Sequence, residues 1–140
     1  MKPKILLRIA AVMMIFHAMG HTFGHATWRQ TTDPVKLEVV KQMTEHKFLF
    51  MSTDRSMAEY YDGFGLICTV TLLMLATLLW LASSATQYKD FIHKVLTTLG
   101  LALLAIGILE LLYFFPFAAS LSLIASALTL VSIYLLRREA

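Results

Sequence analysis

Four blocks of almost uncharged sequence constrain this chain more than any other feature. They cover about residues 5–28, 57–83, 91–115 and 117–136, and each reaches the ~18 apolar residues that cross a bilayer. Inside hydrocarbon a backbone must satisfy its own N–H and C=O groups, which a helix does and an open strand does not. The expected fold is therefore an all-α membrane protein, a bundle of four transmembrane helices in a single domain, 1–140. Composition agrees, with 58% hydrophobic residues and a mean hydropathy of +0.69, against about 45–50% apolar usage in ordinary soluble domains. Cys68 is the one cysteine, so no intrachain disulfide supports the fold.

The first block opens as Met1-Lys2-Pro3-Lys4 before an apolar run, which resembles a secretory leader with Ala18-Met19-Gly20 as a cleavage site. Arg8 interrupts that run and the helical pattern continues past Gly20, so the block reads as helix one. Residues 29–56 form the long outer loop. Within it Asp33-Pro34 is a helix start, since Pro suits the first helical position and Asp caps it. From there an amphipathic helix is expected over about 34–51, with Val35, Val39, Met43 and Phe50 opposite Lys36, Lys41 and Glu45, lying on the membrane surface or solvated in the loop. Ser56-Met57-Ala58-Glu59 has the spacing of a capping box and should open the second span. Pro116 should break the third span and begin a tight hairpin into the fourth.

Lys and Arg set the orientation. Lys2, Lys4, Arg8, Lys89, Lys94, Arg137 and Arg138 fall on one side. Arg29, Lys36, Lys41, Lys47 and Arg55 fall on the other, diluted by Asp33, Glu38, Glu45, Asp54, Glu59 and Asp62. Both termini are expected in the cytoplasm and the long loop outside. Trp28, Tyr60, Tyr61 and Tyr113 then mark the outer aromatic belt, while Trp80, Tyr88 and Tyr134 mark the inner one. The net charge of +3 is topological. No basic run with interleaved aromatics points to nucleic acid, and the partner implied is the lipid bilayer.

The first span carries His17, His21 and His25. At a spacing of four, all three share one helical face. Gly20 and Gly24 flank that face, and Gly-x-x-x-Gly lets another helix approach closely. Glu110 is the one carboxylate deep within a span. Ionised in mid-bilayer it costs about 2.5–3.5 kcal/mol, so it should face the bundle and have a partner. At ~1.5 Å per residue, His17, His21 and Glu110 lie at similar depths. Glu110 is expected within hydrogen-bonding reach of His17 or His21. The outer third of the bundle would then gather His17, His21, His25, Asp62, Glu110 and Tyr113.

Several chemistries fit that set. Histidines with carboxylates suit a zinc, iron or manganese ion, and Met13 on the same face would suit copper, although methionine stripes usually fill cores. Haem fits less well, because all the membrane histidines lie on one helix and a symmetric homodimer would have to supply the second axial ligand. Glu110 with a histidine could instead do acid–base work on a small lipid-soluble ligand or substrate. Against these stands a structural role, in which the histidines only pack and hydrogen-bond at ~0.6 kcal/mol each, as in an accessory membrane subunit. His46 and His93 read as loop and interfacial residues. Signatures of soluble enzymes are absent: no nucleophile elbow, no phosphate loop, no Cys-x-x-Cys and no His-Glu-x-x-His.

Leu7-Arg8-Ile9-Ala10, His17-Ala18-Met19-Gly20-His21-Thr22-Phe23-Gly24-His25 and Tyr61-Asp62-Gly63-Phe64-Gly65-Leu66 resemble a family of small bacterial four-helix membrane proteins with no established activity. The layout, with its long first outer loop, is also similar to that of DoxX-like proteins. The first resemblance covers mainly residues 5–80 and implies a protein of the bacterial cytoplasmic membrane. It does not choose among the chemistries.

Overall fold

Every expected span is a helix. In the computed structural model, which describes residues 2–138, α1 is Pro3–Thr27, α2 Pro34–Glu45, α3 Met57–Ser84, α4 Lys89–Tyr113 and α5 Pro116–Arg138, with a two-stranded hairpin, β1 Lys47–Phe50 and β2 Thr53–Ser56, between α2 and α3. Met1, Glu139 and Ala140, at the ends of the expected domain, and the side chain of Lys89 lie outside the described residues. Helices α1, α3, α4 and α5 are each long and apolar enough to cross a membrane. The architecture is all-α with four candidate spans, and its apolar surfaces suit contact with lipid.

The helix starts follow their local chemistry. The side chain of Asp33 accepts from the backbone N–H groups of Val35 and Lys36, at 2.9 and 3.2 Å, and Pro34 takes the first position of α2. At α3 the capping box closes in both directions. Ser56 N–H donates to Glu59 Oε2 at 2.7 Å, and Glu59 N–H donates to Ser56 Oγ at 3.2 Å. These bonds satisfy amide groups that the first helical turn leaves without partners.

The amphipathic helix ends earlier than the sequence pattern suggests. It stops at Glu45, His46 is extended, and Lys47–Phe50 pairs antiparallel with Thr53–Ser56. A run such as Phe48-Leu49-Phe50-Met51 suits a strand as well as a helix. The turn carries none of the usual Asn-Gly or Asp-Gly signal: Met51 and Ser52 hold φ of 47° and 66°, the left-handed pair a two-residue hairpin needs. Each non-glycine residue there costs about 1–2 kcal/mol.

The chain forms two compact units. The first eighteen residues and everything from Leu72 onward make one, and Met19–Thr71 make the other. The first unit holds a four-helix core. Leu7, Ala10, Ala11 and Met14 of α1, Leu72, Leu79 and Ala82 of α3, Leu96 and Leu103 of α4, and Ala119 and Ala125 of α5 are all buried. Outward positions such as Ile5, Ile9, Val12 and Phe16 are exposed and apolar, as lipid contact requires. Helix α5 buries a polar row instead: Ser122, Ser126, Thr129 and Ser132. Small hydroxyl residues let helices close up, and the O–H groups of Ser126, Thr129 and Ser132 turn to backbone carbonyls. Ser126 of α5 donates to Gly100 O of α4 at 2.7 Å. Near the start of α1, the Arg8 guanidinium lies 5.0 Å over the Trp80 ring, a cation–π contact of the kind that anchors an interface.

Candidate functional site

In the first unit, three helices converge on His17. On α1 the buried positions Leu7, Ala10, Met14 and His17 recur at helical spacing, so His17 occupies the core-facing stripe by register alone. On α4 the row Ile92, Leu96, Leu99, Leu103 places Glu110 one heptad beyond its last leucine. On α5, Ser122 opens the hydroxyl row. The outcome is a buried array across α1, α4 and α5. His17 Nε2 lies 3.3 Å from Glu110 Oε1, and Ser122 Oγ lies 3.3 Å from His17 Nδ1. Side-chain exposure is 6% for His17 and 11% for Glu110, and Ser122 is fully buried.

The donor and acceptor roles follow from the ring. A neutral imidazole has one N–H and one lone pair. With the proton on Nε2 aimed at the carboxylate, Nδ1 is the acceptor and the Ser122 hydroxyl donates to it. Both ring nitrogens therefore face protein groups. Imidazole between a hydroxyl and a carboxylate is an arrangement that can take up, hold and pass a proton.

In the second unit, the remaining histidines meet other neighbours. His21 Nε2 is 3.1 Å from Gly65 O. The His21 and His25 rings are parallel within 3°, their centroids 6.3 Å apart. His25 lies on the Cα of Gly65, where any Cβ would overlap the ring, and its Nδ1 finds no hydrogen-bond partner among the described residues. Asp62 is bound elsewhere: Trp28 Nε1–H donates to Asp62 Oδ1 at 3.0 Å, and Arg29 forms an ion pair with Oδ2. Trp28 packs on Tyr61 at 4.8 Å, so these two aromatic residues form a pair locked by the Asp62 carboxylate.

Three expectations change here. Tyr113, placed in the site by depth, is 77% exposed at the very end of α4 and joins no polar cluster in the described residues. Among the described residues, Gly20 and Gly24 do not mark a close helix approach. A Cβ at either would meet nothing within 4 Å. The glycines that do permit contact are Gly65, Gly100 and Gly107, the last two packed against Leu130 and Leu123. Ser122 was absent from the sequence-based set, and its signal was the small-residue spacing of α5. Among the described residues, no group of three or more His, Cys, Asp or Glu side chains is placed to hold a metal ion.

No family model, no curated protein and no solved structure matches this chain.

Proposed function

We propose that this chain is a small multi-pass protein of the bacterial cytoplasmic membrane, both termini cytoplasmic, that uses His17 and Glu110 to exchange a proton with a small lipid-soluble ligand. The observation that carries this reading is the 3.3 Å contact of His17 with Glu110 inside a span, backed by Ser122 on the other ring nitrogen. An ionisable pair in a membrane interior is costly to keep, and retained pairs of this kind mark proton and ligand sites. Glu110 holds the imidazole in one orientation and can accept its proton. Ser122 completes the line on the far side. The chemical class of ligand is a lipid-soluble molecule bearing a hydroxyl or carbonyl, which can give or take a hydrogen bond at Glu110.

A metal ion is the weaker form of the same reading. Both His17 nitrogens face protein atoms, and a structural ion would draw on three or four ligands. The structural reading has its own support, because the array ties three helices together. Glu110→Gln separates them. Gln keeps the shape and a hydrogen-bonding group but cannot take the proton. Nitrogen NMR of histidine-labelled protein in bicelles should show the His17 signals of Glu110→Gln shifted and their pH response altered, and wild-type His17 signals should move when lipid extract is added. A silent Glu110→Gln, in spectrum and in stability, would leave the array as helix-to-helix glue.

A further inference from the structure

The hairpin leans back over the first turns of α3 and borders an open groove of about 440 Å³. Strand alternation explains the walls. Phe48 and Phe50 point to the same side of β1, and both contact Tyr60, at 5.8 and 6.3 Å between ring centroids. Phe50 and Met51 form one wall of the groove, Gly63, Phe64 and Ile67 of α3 the other, and Arg55 and Glu59 stand at its polar end. Residue 63 is glycine with open space where a Cβ would be, which widens the floor. Met51 is 87% exposed and Leu49 71%, so the hairpin ends in large apolar side chains held out by a left-handed turn.

Depth identifies the surroundings. Helix α3 has 28 residues and is ~42 Å long, against ~30 Å of hydrocarbon. Trp80, under the Arg8 guanidinium, marks the inner interface. Counting back the ~20 residues of one span puts the outer boundary at Tyr60–Tyr61. Arg55 and Glu59 then lie among headgroups, and Phe64 and Ile67 lie beside the first carbons of the acyl chains. Along α3 the lining passes from Glu59 to Gly63, Phe64 and Ile67, from charged to apolar, as a lipid does. Val70, three residues beyond Ile67 on α3, is also exposed. At the charged end Arg55 Nη1 is 3.7 Å from Glu59 Oε1, too long for a tight pair, and the two offer a cation and an anion side by side.

We infer that this groove seats one zwitterionic phospholipid of the outer leaflet, its phosphate on Arg55, its headgroup amine on Glu59 and an acyl chain between Phe50 and Phe64. The hairpin is then a clasp on a bilayer lipid, and the strained Met51-Ser52 turn is held because its apolar tip rests on that chain. The groove shares no residue with the His17 array, and its place in the outer leaflet rests on the orientation proposed above. A volume of this size accommodates part of a lipid, in the range of small-molecule sites.

Native mass spectrometry of the purified full chain in detergent tests it, with oleoyl-chain phosphatidylethanolamine, phosphatidylglycerol and diacylglycerol as probes. Wild type should hold one phosphatidylethanolamine, more tightly than phosphatidylglycerol, and diacylglycerol least. Gly63→Leu fills the floor and should weaken all three by about tenfold or more, with circular dichroism unchanged. Met51→Ser removes the tip and should weaken them in the same direction, which keeps the test sound if Gly63→Leu fails to fold. Arg55→Gln should bring phosphatidylethanolamine down to the level of diacylglycerol, and Leu66→Ala, outside the groove, should change nothing. The groove assignment is overturned if Gly63→Leu and Met51→Ser bind lipid like wild type. The headgroup assignment is overturned if phosphatidylglycerol binds tighter than phosphatidylethanolamine, or if Arg55→Gln keeps the wild-type order.

Discussion

His17 and His25 sit about two turns apart on the same helix and have opposite surroundings. His17 is buried among side chains that answer both of its nitrogens, Glu110 and Ser122. His25 is half-buried, stacked against His21 and seated on a glycine backbone. Equal spacing gave them the same helical face but not the same chemistry. A histidine between a carboxylate and a hydroxyl can move a proton. One flat on a glycine is held chiefly by shape. The difference lies in what the neighbouring helix contributes at each level: polar groups of α4 and α5 at His17, and the backbone of α3 at His25.

The largest break in that comparison should come from Glu110→Leu. It leaves a buried imidazole facing hydrocarbon, and removal of one partner of a buried pair costs about 3–5 kcal/mol. Reversible unfolding in bicelles should register most of that loss, while the His21 and His25 resonances stay in place. A loss below about 1 kcal/mol would mean that the pair carries little and that His17 resembles His25 after all.

The mirror-image test acts on shape. Gly65→Val places side-chain atoms inside the His25 ring and should cost about 1–3 kcal/mol as overpacking does. Its signature is displaced His21 and His25 signals beside unmoved His17 signals. If His17 moves equally, the two surroundings are not independent.

Ser122→Ala is milder. One hydrogen bond to Nδ1 disappears, worth about 1 kcal/mol, and the tautomer of His17 loses its support on that side. Nitrogen shifts of His17 should change with little effect on thermal stability. Unchanged shifts would remove Ser122 from the array.

The smallest effect is expected at Gly20 and Gly24. With open space at both positions, alanine should be tolerated, and the lower backbone entropy cost should stabilise the helix by up to about 1 kcal/mol per site. Clear destabilisation would show that another helix packs on that edge in the membrane, and would restore the close-approach reading of the motif.

Much of this protein was legible before any coordinates. The spans follow from length and hydropathy, because a bilayer leaves an exposed backbone no alternative to the helix. The caps at Asp33 and Ser56 were equally clear, since each rests on bonds between residues two or three apart in sequence, and so was the break at Pro116, which has no backbone N–H to continue a helix. Glu110 announced itself by the cost of an unpartnered carboxylate in lipid. Tertiary structure decided the rest. Ser122 reaches His17 across 105 residues of sequence, and no local pattern selects that serine from the others on α5. Met51 and Ser52 adopt left-handed conformations that their own side chains disfavour, so the hairpin had no local signal. Gly65, not Gly20 or Gly24, became the glycine beneath a histidine because the neighbouring backbone arrives there. Short-range terms set where helices begin, end and cross the membrane. Which side chains meet depends on register and rotation between helices, and those are settled by the sum of many packing contacts rather than by any one stretch of sequence.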